Sequence, residues 1–133
     1  MGFRTFALLV LGLGLLLAAA PATAHHSFAA EFDDNQPVTL RGRVTKIAWT
    51  NPHVWIYMNV EDENRKLVNW GFEMGAPQQV RNRGWDRTTL KTGDEIIVEG
   101  WRARDGSFRM NARSVKWAAS GRTLDAGSSQ TTR

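Results

Sequence analysis

The sequence contains no cysteine among its 133 residues, and this excludes a whole group of chemistries. Disulfides, thiolate nucleophiles, zinc–thiolate sites, covalent haem attachment and lipid anchoring through a cysteine all need that side chain. The chain also lacks a glycine-rich phosphate-binding loop, a Gly-x-Ser-x-Gly elbow and a His-Glu-x-x-His motif. We therefore expect a binding module rather than an enzyme.

Long apolar runs are equally scarce, because the chain has a single one, from Phe6 to Ala20. It is shorter than the roughly 20 residues that a membrane-spanning helix needs. Arg4 precedes it and Ala22-Thr23-Ala24 follows it, the pattern of a secretory signal cleaved after a small residue. We expect residues 1–24 to be a signal peptide and the mature protein to be periplasmic or secreted, and not transmembrane. Cleavage after Ala22 is the alternative.

The charge balance is basic, with a formal net charge of +4 at pH 7. A basic chain can indicate a nucleic-acid partner. An exported protein rarely meets nucleic acid, so we expect no such partner here. The cationic side chains in the second half cluster modestly, and we interpret them as a solvated face; they are Arg81, Arg83, Arg87 and Lys91.

The pattern of apolar residues predicts five strands, with a short helix from Pro77 between the third and fourth. This order is typical of an OB-like Greek-key barrel, a mostly β fold. An SH3-like barrel is the rival, but it does not normally place a helix there. The predicted domain plan is a leader over 25–37, a barrel over 38–118 and a disordered Ser/Gly/Thr-rich tail over 119–133.

The first two predicted strands each show a further feature in their apolar pattern. In the first strand the apolar phase slips by one residue between Val44 and Ile47, which predicts a β-bulge that Gly42 helps to bend. In the second strand the alternation predicts one inward-facing aliphatic row: Val54, Ile56, Met58 and Val60.

The chain has three histidines, His25, His26 and His53. Cleavage after Ala24 would give His25 a free α-amino group beside its own imidazole. Nitrogen ligands of this kind favour Cu(II), whereas three imidazoles alone would suit Zn(II) equally well. The sequence therefore predicts a Cu(II) site at the three histidines if the leader folds back toward His53. The alternative is that His25 and His26 start a frayed terminus and His53 is a turn residue.

Tryptophan is abundant, with six residues in this short chain. Trp55, Tyr57 and Trp101 fall on the face opposite the aliphatic residues of their strands. Exposed rings there would bind a partner protein or an envelope glycan, which is our second functional hypothesis. The alternative is that a small cysteine-free barrel uses large aromatics to fill its core. Acids scattered on the strands are expected at the surface, among them Asp62, Glu73 and Glu99.

Several short motifs together resemble a bacterial family of small exported proteins of unknown function. The motifs are His25-His26-Ser27, Trp49-Thr50-Asn51-Pro52-His53, Gly84-Trp85, Leu90-Lys91-Thr92-Gly93-Asp94 and Ala103-Arg104-Asp105-Gly106. The resemblance implies a similar exported barrel and carries no established activity. It also implies that both histidine motifs belong to one family pattern, which fits a shared site and fits two structural roles equally.

Overall fold

The structure, a computed structural model, describes residues 28–128 of the chain. The helices and strands in this range are α1 (Phe28–Glu31), β1 (Phe32–Trp49), β2 (Val54–Glu61), β3 (Leu67–Glu73), α2 (Pro77–Arg81), β4 (Glu95–Ala103), β5 (Arg109–Trp117) and β6 (Thr123–Asp125). Neither of these helices is long and apolar enough to cross a membrane. The predicted signal peptide, His25, His26 and residues 129–133 lie outside the described residues.

The strands form one sheet in the order β3-β2-β1-β4-β5-β6, with antiparallel neighbours. An additional parallel pairing joins β3 to β5 and sets Glu73 beside Asn111. The prediction of a mostly β chain with a short helix between the third and fourth strands is thereby confirmed. The β3–β5 pairing matters for the site, because it brings the end of β3 against the start of β5.

The predicted irregularity in β1 is present. The register of β1 against β2 shifts between Val44 and Lys46, as expected for a β-bulge. Gly42 has a stricter role than bending the strand. A Cβ added there would lie 2.3 Å from the carbonyl oxygen of Asn59, so no side chain fits at this close approach of β1 to β2.

The first strand begins before the predicted end of the leader at residue 37. β1 begins at Phe32, six residues before the expected barrel boundary at 38. Pro37, the last residue of the expected leader, pairs with Trp101 of β4 inside the sheet. The register between Phe32 and Pro37 is irregular, which is where a sheet tolerates a residue without an N–H donor.

Residues 119–128 also differ from the expected disordered tail. Thr123–Asp125 form β6 and pair with the end of β5. Beyond it, Ala126 and Ser128 are almost fully buried, and the amide of Gly75 donates to the Ala126 carbonyl. Polar composition predicts solvation, but these backbone hydrogen bonds hold the segment against distant strands.

The core lies on the inner side of the sheet, and the predicted aliphatic row of β2 is buried in it. Two of the six tryptophans, Trp70 and Trp85, belong to this core, while Trp49 and Trp117 pack against its edge. The core interpretation of the aromatics is therefore confirmed for these four. Trp55 and Trp101 are half-buried and lie in the candidate site.

Candidate functional site

His53 lies in the turn that leads into β2, where a carboxylate contacts its imidazole. His53 Nδ1 meets Oε1 of Glu73, the last residue of β3. The Thr50 hydroxyl donates to the His53 carbonyl at 3.1 Å and fixes the backbone of the turn. The His53 side chain is 42% exposed and that of Glu73 is 9% exposed, so the pair links a buried carboxylate to the surface.

Glu73 is buried, contrary to the expectation that it lies at the surface. Burial raises the pKa of Glu73 from 4.5 to about 7, the charge of Glu31 raises it as well, and the charge of Arg109 lowers it. A carboxylate on Nδ1 fixes the ring orientation of a histidine and makes Nε2 the nitrogen that can coordinate a metal. The Glu73 contact therefore leaves Nε2 as the imidazole nitrogen that is not turned toward this carboxylate.

Strand pairing places Glu73 inside a row of side chains that crosses four strands. Trp55 pairs with Glu73, Glu73 with Asn111, and Asn111 with Trp101. Paired residues on adjacent strands point to the same side of a sheet. Asn111 is buried like Glu73, and the Ser128 hydroxyl donates to its Oδ1. This Glu73 row, Trp55–Glu73–Asn111–Trp101, joins the two sites that the sequence predicted separately.

The helix α1 is anchored at one end of the Glu73 row. The Phe28 ring packs edge-on against Trp101 with centroids 5.4 Å apart. The Arg104 side chain donates to the Ala29 carbonyl at 2.9 Å, and the Arg104 amide donates to the Glu31 carbonyl at 2.8 Å. The charge of Glu31, the last residue of α1, raises the pKa of Glu73.

A cleft of about 630 Å³ opens beside α1, lined by Ala30, Glu31, Arg104, Asp105 and Arg109. Arg109 pairs with Asp105 at 3.0 Å. Arg104 approaches Asp33 at 3.6 Å. Each arginine that lines the cleft therefore already has an acidic partner.

The three predicted binding aromatics do not form one surface. Trp55 and Tyr57 stack with centroids 6.3 Å apart and planes 20° apart. They lie over Gly71, whose missing side chain leaves room for the Tyr57 ring. Trp101 lies at the opposite end of the Glu73 row, under Phe28. The structure thus places Trp55 and Tyr57 together and Trp101 apart from them.

Of the predicted metal ligands, His53 is described, and His25 and His26 lie outside the described residues. Between residues 28 and 128, no three histidine, aspartate or glutamate side chains are grouped so that they could hold a metal ion. Within that range the candidate metal site consists of His53 supported by Glu73. Any further ligands would come from residues outside it.

A family model of unknown function (DUF6152) matches residues 13–112. The chain belongs to this family. The resemblance to an uncharacterised family is confirmed at that level. The matched range includes all three histidines together with Glu73 and Asn111, and it ends before β6. No curated protein matches the chain.

The sequence analysis did not predict that Glu73 and Asn111 are buried in the candidate site. The alternation of Trp70 and Phe72 toward the core already turned Glu73 to the other side of β3. This alternation distinguishes the inner face of β3 from its outer face, but it does not predict that Glu73 is buried on the outer face. The cover comes from the β3–β5 pairing, which no local pattern indicates.

Glu73→Gln is expected to flatten the pH dependence of stability. The pKa of Glu73 rises from 4.5 to about 7 on folding, so the folded state holds this proton more tightly between those values. The free energy of unfolding of the wild type should therefore fall as pH rises through that window, by about 3 kcal/mol from this group. Urea denaturation at a series of pH values measures it.

The control for this prediction is Glu61→Gln, which removes an exposed glutamate on β2. Wild type and Glu61→Gln should show the same slope between pH 4.5 and 7. His53, Glu31 and Arg109 stay in place in both variants, so their contributions cancel in the comparison. A slope that Glu73→Gln leaves unchanged contradicts the raised pKa.

Proposed function

We propose that this protein is an exported metal-binding module that holds Cu(II) between its processed N-terminus and His53. The ligands are the α-amino group and imidazole of His25 with the imidazoles of His53 and His26. Nitrogen donors in this number favour Cu(II) over other divalent ions. Export follows from cleavage of the signal at residues 1–24, and the role is that of a periplasmic copper carrier or sensor component.

The strand arrangement supports an OB-like Greek-key barrel built from β1 to β5. The order β3-β2-β1-β4-β5, closed by a parallel β3–β5 pairing with α2 between β3 and β4, is what such a barrel requires. OB folds bind ligands on the face of strands 2 and 3, flanked by the loops after strands 1 and 4. His53 lies in the first of those loops, and the Glu73 row begins on that face.

The observation that carries the proposal is the anchoring of α1 at the Glu73 row. Phe28 packs on Trp101, which lies two strands from Glu73. Neighbouring strands are about 4.8 Å apart. His25 precedes Phe28 by three residues, a span of at most about 11 Å. The length of chain ahead of Phe28 therefore allows the N-terminal histidines to reach His53, which supports a site joining the two motifs.

The test is a Cu(II) titration followed by electron paramagnetic resonance, on protein whose N-terminus at His25 is confirmed by intact mass. Stoichiometric binding with nitrogen hyperfine structure is expected. Three alanines added ahead of His25 remove the α-amino group from its chelate ring without creating an x-x-His terminus, and they should weaken binding at least about tenfold. Trp55→Ala, which leaves all nitrogen ligands in place, should not weaken it. Undiminished binding in the extended protein would contradict the proposed ligand set.

A second candidate function is stacking of a sugar or aromatic ring on Trp55 and Tyr57. The near-parallel, half-buried pair favours it, and the Lys46 ammonium lies 5.6 Å from the Tyr57 ring centroid. Its partner would be an envelope glycan or protein. In the same set of variants, Trp55→Ala should then abolish binding of that partner while the N-terminal extension leaves it intact. If neither change alters any binding, both functions are wrong.

A further inference from the structure

Two arginines converge on one tryptophan at the end of β1. The Arg81 guanidinium lies 5.9 Å from the Trp49 ring centroid, and that of Arg87 lies 5.8 Å from it. Arg81 ends α2, a helix opened by Pro77, and Arg87 follows in the next turn. Both arginines are exposed, and Trp49 packs against the core edge. The two positive charges therefore share one ring and lie at most about 12 Å apart.

No acid in the described range neutralises this pair. The arginines with ion pairs there are Arg41, Arg83, Arg104 and Arg109, and neither Arg81 nor Arg87 is among them. Asp86 adjoins Arg87 in sequence, but its Oδ1 accepts hydrogen bonds from Thr88 and Thr89. Two like charges on one ring repel each other, and an anion bound between them would offset this repulsion.

One arginine would be enough to cover the Trp49 indole, so covering does not explain why two are present. Elsewhere between residues 28 and 128, one guanidinium serves each covered tryptophan. Arg122 lies over Trp117 at 5.4 Å and Arg102 over Trp70 at 5.5 Å. Trp49 has two guanidinium groups over it, although their positive charges repel each other. The guanidinium fork matches the oxygens of a phosphoryl group, and each such charge-assisted contact is strong.

We infer that Arg81 and Arg87 form an oxyanion site on Trp49 that binds a phosphoryl group. This site is separate from the proposed metal site. Trp49 pairs with Val54, whose side chain is in the core, whereas the Glu73 row lies on the other side of the sheet. The phosphoryl group can come from a soluble phosphate compound or from the headgroup of an anionic lipid, and the arginines would contact both in the same way.

The first experiment is a titration with inorganic pyrophosphate at low ionic strength, followed by the NMR signal of the Trp49 indole N–H, assigned with Trp49→Phe. The double variant Arg81→Gln/Arg87→Gln should bind at least about tenfold more weakly than wild type. Arg122→Gln is the matched control, since it removes the same charge from a tryptophan that has only one arginine. It should bind as wild type does. Thermal unfolding establishes that all variants fold.

A second arm uses vesicles of phosphatidylglycerol, with phosphatidylcholine vesicles as the neutral comparison. Retention on the anionic vesicles that the double variant loses identifies the lipid headgroup as the source. Binding of pyrophosphate without vesicle retention identifies a soluble phosphate compound. The inference is overturned if neither probe binds, or if the folded double variant binds both as well as wild type and Arg122→Gln do.

Discussion

Replacing His53 with alanine is expected to lower the Cu(II) affinity of the processed protein at least about a hundredfold, because it removes the only proposed ligand fixed to the sheet. The N-terminal ligands would remain, but nothing would hold them to β2. A competitive titration measures the affinity, and electron paramagnetic resonance should show fewer coupled nitrogens. Thermal unfolding without metal checks that the variant folds, which its 42% exposed side chain favours.

Glu73→Gln is the companion to this variant. It keeps the imidazole ligand and removes the carboxylate that contacts Nδ1, so Cu(II) affinity should fall by about tenfold only. If His53→Ala binds Cu(II) as tightly as wild type does, the joined site is wrong. The N-terminal ligands alone would then account for binding in this protein. Protein cleaved after Ala22 would differ, since its Thr23-Ala24-His25 terminus can chelate Cu(II) without His53.

The second large effect is expected at Gly100 of β4. A Cβ there would lie 2.0 Å from the carbonyl oxygen of Asn111 and 2.9 Å from the Met110 methyl carbon. The closer atom belongs to the backbone of β5 and can move only if the strands separate. Gly100→Ala should therefore lower the free energy of unfolding by about 3 kcal/mol or more, measured by urea denaturation.

Gly93→Ala is the matched control for Gly100→Ala. Gly93 has a positive φ of +94°, but a Cβ there would meet nothing within 4 Å. Its cost is that of an unfavourable backbone angle alone, about 1 kcal/mol. Equal losses in the two variants would show that β4 and β5 can part at Gly100, and the close approach would then not matter. A larger loss in Gly100→Ala would show that β4 and β5 cannot part at this position.

The sequence by itself determined five of the six strands and the inner face of β2. The period-two alternation of Val54, Ile56 and Met58 placed β2 and its buried side, and the phase slip before Ile47 located the bulge in β1. Pro77 likewise marked the start of α2. These features depend on residues a few positions apart, because periodicity and backbone restriction are local properties of a chain.

Only the tertiary structure decided which outer side chains meet. From the sequence, Glu73 is expected at the surface. In the structure the β3–β5 pairing sets it beside Asn111, and the turn before β2 brings His53 to it. Residues 126–128 are expected in the disordered tail, but in the structure Gly75 and Asn111 form hydrogen bonds with Ala126 and Ser128. The candidate site depends on contacts between residues far apart in sequence, and strand pairing across such distances is fixed by the whole sheet rather than by any local pattern.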